Sequence, residues 1–172
     1  EVYEYKSEMH LLLGFKNLIN EKNPQLIVGY NILNFDIPYM IDRINKIYYS
    51  LSEFDKMGYI KNKSCPIKEI KWSSSAYRAQ EFRFLNLEGR IWVDMLPLVK
   101  RDYKFNDYKL KTVSTFFLGE TKDPLTPKGI FKCYRKGMEG GKKGSDALGV
   151  VGKYCVQDAV LVTKLFNKIQ TW

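Results

Sequence analysis

Apolar positions recur along the chain in two rhythms. Leu11, Leu12, Phe15, Leu18 and Ile19 follow one another at helical spacing, as do Met40, Ile41, Ile44 and Ile47, and Leu110, Val113, Phe116 and Phe117. Such spacing places each set on one face of a helix. The first helix is capped by Ser7 and ends near Asn23-Pro24; the second runs from Ile37 to about Ser50, with Arg43 on its polar side. The third spans Lys109 to Leu118, with Gly119 at the position of a left-handed C-cap. The longest pattern covers Ala147 to Thr171, and its stripe reads Val151, Tyr154, Asp158, Leu161, Val162, Leu165 and Ile169.

Shorter apolar runs predict strands. Leu26-Ile27-Val28 is uninterrupted, as expected of a strand buried on both faces, and Gly29-Tyr30-Asn31 ends it in turn chemistry. Val2 to Tyr5 and Lys68 to Trp72 read as further strands, and Ser73-Ser74-Ser75 as a loop tip. Phe82 to Leu87 and Ile91 to Asp94 flank Glu88-Gly89 and predict a hairpin, after which Asp94 caps a helix from Met95 to Arg101. Leu51 to Lys63 reads as a short helix or loop, Lys122 to Pro127 as turn, and Ile130 to Arg135 as helix. Five glycines among polar residues between Gly137 and Gly149 read as a surface loop, either sliding along phosphates or a plain linker. The interleaving of strands and helices makes this an α/β chain whose 172 residues suit one domain.

Two carboxylates stand out against this pattern. Asp36 falls where the second helix begins, with Pro38 just inside its start, so it reads either as an N-cap or as a metal ligand at the carboxyl end of a strand. Asp158 lies inside an apolar stripe, where a carboxylate must be met by a hydrogen-bond donor, a lysine or a metal. Tyr154 precedes it by one turn on the same face, close enough to address the same small molecule. Taken together, Asp36 and Asp158 point to a Mg2+ or Mn2+ site, the chemistry by which carboxylate-held cations promote phosphodiester hydrolysis. His10 is the only histidine, which argues against catalysis by a Ser-His or Cys-His pair.

Composition adds limits. A hydrophobic share of 45% argues against disorder, and no apolar run approaches a membrane span or opens the chain as a secretory leader. A soluble intracellular protein is expected. Cys65, Cys133 and Cys155 are odd in number and far apart, so neither a disulfide framework nor a zinc cluster is indicated. The net charge of +9 points to a polyanionic partner, and 12 Tyr, 10 Phe and 3 Trp among the lysines and arginines suit stacking on unpaired bases. The first residue is Glu1 rather than Met, and a strand follows at once, so the chain reads as part of a longer polypeptide.

At these residues the sequence resembles the 3'→5' proofreading exonuclease domain of family B DNA polymerases, particularly the delta-type enzymes of eukaryotes and large DNA viruses. Gly29 to Tyr39, reading Gly-Tyr-Asn-Ile-Leu-Asn-Phe-Asp-Ile-Pro-Tyr, is similar to the second exonuclease motif, and Tyr154-Cys155-Val156-Gln157-Asp158-Ala159 to the third. Ser73 to Ala76, Gly89 to Asp94 and Leu110 to Gly119 resemble the intervening blocks in order.

The resemblance implies an RNase H-like (DnaQ-like) mixed sheet flanked by helices, missing its first strands, with residues 1–172 forming a partial exonuclease domain and no polymerase region. It implies Asp36 and Asp158 as ligands of two Mg2+ or Mn2+ ions, Tyr154 orienting the attacking water, and Asn31 and Phe35 contacting the unpaired 3' end, with Asn34 the alternative to Asn31. Single-stranded DNA, primer-template, the polymerase domains of the same parent chain and a processivity factor are the implied partners, in a nucleus or a cytoplasmic viral replication factory. No Asp-x-Glu precedes Leu26, so the family's first motif is absent from these residues. The isolated chain is accordingly expected to be inactive or nearly so. The rival is a non-catalytic exonuclease-like scaffold that binds single-stranded DNA or the polymerase core.

Overall fold

The structure is a computed structural model and describes residues 3–48, 53–73, 80–120 and 125–170. It is a mixed α/β chain in two units: residues 1–27 with 31–94, and residues 28–30 with 95–172.

The first unit opens with α1 (Glu8–Lys22), capped as expected: Ser7 Oγ accepts from the His10 N–H at 3.3 Å, and Asn23 ends the helix in the left-handed region at φ 48°. Residues 3–5 form no strand, and the remainder of that predicted element lies outside the described residues. β1 (Leu26–Gly29) and β4 (Ile91–Asp94) pair as one two-stranded sheet. The Ile91 N–H bonds the Gln25 carbonyl at one end, while Asp94 reaches the Asn31 N–H at the other, so the two strands run in the same direction. Leu26 is exposed and Ile27 half-buried, which corrects the expectation of a strand covered on both faces.

β2 (Ile67–Trp72) and β3 (Gln80–Leu85) form an antiparallel pair with Ile67 opposite Leu85 and Ile70 opposite Phe82. The expected hairpin between Phe82–Leu87 and Ile91–Asp94 is therefore absent. Gly89 does turn the chain at φ 78°, but β4 leaves that turn to pair with β1. α2 (Asp36–Arg43) continues as a π-helical turn at Ile44–Tyr48. Its Ile37, Ile41 and Ile44 join Leu12, Ile19, Leu85 and Leu87 in one core, completed by Phe54 and Met57 from an irregular segment. Arg43 ties α2 to α1 through both oxygens of Glu8.

The second unit is helical: α3 (Met95–Asp102), α4 (Leu110–Leu118), α5 (Pro127–Met138) and α6 (Gly141–Ile169). Val99, Val113 and Leu165 form its core with Tyr103, Phe105 and Phe117 packed against them. Gly119 ends α4 at φ 67° as expected. The glycine-rich stretch is not a loop. Gly137 lies in α5 and Gly144 and Gly149 in α6, and Gly140 and Gly141, at φ 75° and 68°, reverse the chain between the two helices. A Cβ on Gly144 would lie 2.8 Å from the Lys136 carbonyl, so the hydrogen side chain at this position permits close helix approach. No described helix is long and apolar enough to cross a membrane.

Candidate functional site

In the first unit the turn after β1 carries the candidate residues. Asn31 adopts φ 65°, a left-handed conformation that asparagine tolerates better than most side chains. Its carbonyl accepts from the Asn34 and Phe35 N–H groups at 3.4 and 3.1 Å, the Ile32 carbonyl from Ile37 at 2.9 Å, and α2 follows without a break. The Leu33 carbonyl accepts from the Arg83 N–H of β3 at 3.2 Å.

Asp94 fixes this turn from the other side. One of its carboxylate oxygens accepts from the Asn31 N–H at 2.7 Å and the other from the Leu33 N–H at 3.0 Å. The residue is 6% exposed, so these charge-assisted bonds form in a region of low dielectric. Sequence reading gives Asp94 a helix cap's role, and α3 does begin at the next residue. Its reach to residues some sixty positions earlier has no local signature, and only the pairing of β1 with β4 creates it.

The result is a rigid presentation of two side chains. Phe35 is 67% exposed, a large ring facing water directly before Asp36. Asp36 is the first residue of α2 and Phe35 holds the N-cap position without a side-chain cap bond, which corrects the assignment of Asp36 as the cap. Asp36 is exposed as a residue, and partial burial of its carboxyl pushes it above the usual carboxylate range; a bond to its own backbone opposes the rise and the charge of Asp94 adds to it. Asn34 Nδ2 lies 3.4 Å from Asn31 Oδ1, so the two asparagine side chains stand together.

In the second unit Tyr154 and Asp158 lie on α6, both half-buried on the face that also carries Val151, Leu161, Val162, Leu165 and Ile169. This is the stripe expected from spacing. One Asp158 oxygen is shielded from solvent. Thus Asn31, Asn34, Phe35, Asp36 and Asp94 are brought together in one unit, and Tyr154 and Asp158 in the other.

The donors are of the right kind for a hard divalent cation, being carboxylates, and Asp36 is held against a second negative charge, which a cation would relieve. They are too few to hold one unaided, since among the described residues no three His, Cys, Asp or Glu side chains form a metal-binding group.

The family model for DNA polymerase family B, exonuclease domain, matches residues 1–113. DNA polymerase 120R of Invertebrate iridescent virus 3 is 54% identical over 99% of the chain, putative DNA polymerase 060R of Frog virus 3 is 37% identical over 99%, and the DNA polymerase delta catalytic subunit of Candida albicans is 34% identical over 98%. The chain covers 15%, 16% and 15% of these three relatives' own lengths. Asn31, Phe35, Asp36 and Asp94 fall inside the family match; Tyr154 and Asp158 lie beyond it, in the stretch aligned with the relatives.

Proposed function

Because the chain belongs to the family B DNA polymerase exonuclease domains, we propose that it is the 3'→5' proofreading part of a DNA-directed DNA polymerase. It hydrolyses the terminal phosphodiester of a single-stranded or mispaired 3' end and releases one deoxynucleoside monophosphate at a time. In this reading the fold is RNase H-like, and the chain acts beside the polymerase domains of one polypeptide, on primer-template DNA, with a processivity factor, in a nucleus or a viral replication factory.

The observation that carries the reading is the turn clamped by Asp94, which presents the exposed Phe35 immediately before Asp36. An exposed ring stacks on an unpaired base regardless of its identity, as removal of any mispaired nucleotide requires. The Asn31 and Asn34 amides lie beside it for the sugar and phosphate. Asp36 and Asp158 would hold Mg2+ or Mn2+, which when bound supplies Lewis acidity toward the phosphodiester. Tyr154 orients the water whose oxygen bonds to phosphorus while the 3' oxygen of the penultimate nucleotide leaves and takes up a proton.

No Asp-x-Glu precedes Leu26, so the remaining acidic ligands must come from residues outside this chain. Incubation with labelled single-stranded DNA and Mg2+ or Mn2+ tests this. The 172 residues alone are expected to leave the DNA essentially intact. A longer polypeptide carrying the upstream acidic pair is expected to degrade it from the 3' end and to lose about a hundredfold or more on Asp36→Ala or Asp158→Ala. Brisk degradation by the chain alone that Asp158→Ala abolishes contradicts the ligand count. A longer polypeptide that binds the DNA and never cleaves it identifies a scaffold instead.

A further inference from the structure

We propose that the first unit carries a second ligand site, a nucleotide-phosphate cleft at the opposite end of β1 and β4 from Asp36. The cleft, of about 620 Å³, is lined by Asn23, Tyr59, Lys61, Asn62 and Arg90 among others. It lies where the two strands begin, since Asn23 is two residues before Gln25 and Arg90 one before Ile91 in the Gln25–Ile91 hydrogen bond, whereas Asn31 and Asp94 mark the strands' other ends.

Arg90 is the reason to expect an anion. It is 6% exposed, and its guanidinium bonds the Met57 carbonyl at 2.8 Å, the Pro24 carbonyl at 2.7 Å and Asn23 Oδ1 at 2.9 Å. All three acceptors are neutral. These bonds use Nε and Nη1 and leave the Nη2 hydrogens, so a buried cation faces the cleft with no carboxylate in ion-pair contact among the described residues. The carboxylate lining the cleft, Glu21, is 3.0 Å from Lys22. Lys61 adds an exposed ammonium, and the Asn62 amide is carried on backbone at φ 60°. The lining is thus rich in donors and short of negative charge, the complement of a phosphate group.

Tyr59 selects among phosphates. Its ring is 54% exposed and lies 5.8 Å from the Arg90 guanidinium, so a base can stack on the ring while its phosphate meets Arg90 and Lys61. The volume falls in the range of small-ligand sites.

Calorimetric titration of the 172-residue chain with deoxyadenosine monophosphate, inorganic phosphate and deoxyadenosine tests the assignment. Arg90→Ala removes three hydrogen bonds that hold the fold, so Lys61→Glu and Tyr59→Ala, both at exposed positions, carry the test, with unchanged circular dichroism and melting as the control. The nucleotide is expected to bind at least about tenfold tighter than either phosphate or the nucleoside, and each variant to weaken it about tenfold. Absence of saturable nucleotide binding at millimolar concentration, or binding indifferent to Lys61→Glu, overturns the site. Phosphate that binds as tightly as the nucleotide overturns the role of Tyr59.

Discussion

Asp94 accepts from two backbone N–H groups that no other described group satisfies, so removing its carboxylate strands both donors in a half-buried turn. Asp94→Ala is expected to lower stability on the order of 3 kcal/mol in urea denaturation, and Asp94→Asn, which keeps one acceptor oxygen, by roughly half as much. Asp36 is expected to behave in the opposite sense. Its carboxyl titrates above the ordinary range in the folded chain, so the folded state holds the proton more tightly than the unfolded one. The corresponding stability is present below the unfolded pKa and lost as pH rises through the raised folded value. Asp36→Asn should therefore melt higher than the parent at neutral pH and show a smaller decline between acid and neutral pH; equal melting curves across that range would contradict the account.

Among the elements, α5 and α6 make the sharpest case. Helix propensity alone would make Gly144→Ala favourable, whereas packing against the Lys136 carbonyl makes it unfavourable by about 1 to 3 kcal/mol, a sign that thermal denaturation reads directly. The same region marks where the sequence is legible and where it is not. The stripe on α6 from Val151 to Ile169, the Ser7 cap and the Gly119 stop are local patterns, and the structure has them where the spacing puts them. The glycines from 137 to 149 look like a loop because two of them, Gly137 and Gly144, meet the facing helix, which no window of sequence displays, while Gly140 and Gly141 make the turn between. Strand pairing fails for the same reason: Glu88-Gly89 turns the chain, but a turn does not say that β4 will find β1 rather than β3. Asp36 is legible as a candidate from its position after an apolar strand, and Phe35 and Asn31 only through the family resemblance, while the Asp94 clamp and the charge of Arg90 require the fold.

At the scale of the whole molecule the family assignment rests on residues 1–113 and on relatives far longer than this chain, and the proposed chemistry depends on acidic side chains from both units. The basic balance of +9 suits a partner that is a polyanion, and nucleic-acid binding is expected to weaken steeply with salt in fluorescence titrations of single-stranded DNA. The measurement closest to the central proposal is a crystal structure of the polypeptide soaked with Mn2+, read through its anomalous scattering. The expected result is a peak within about 2.0 to 2.6 Å of a carboxylate oxygen from Asp36 and of one from Asp158. Carboxylates of Asp36 and Asp158 that lie far apart, with the manganese bound by neither, would contradict the proposal.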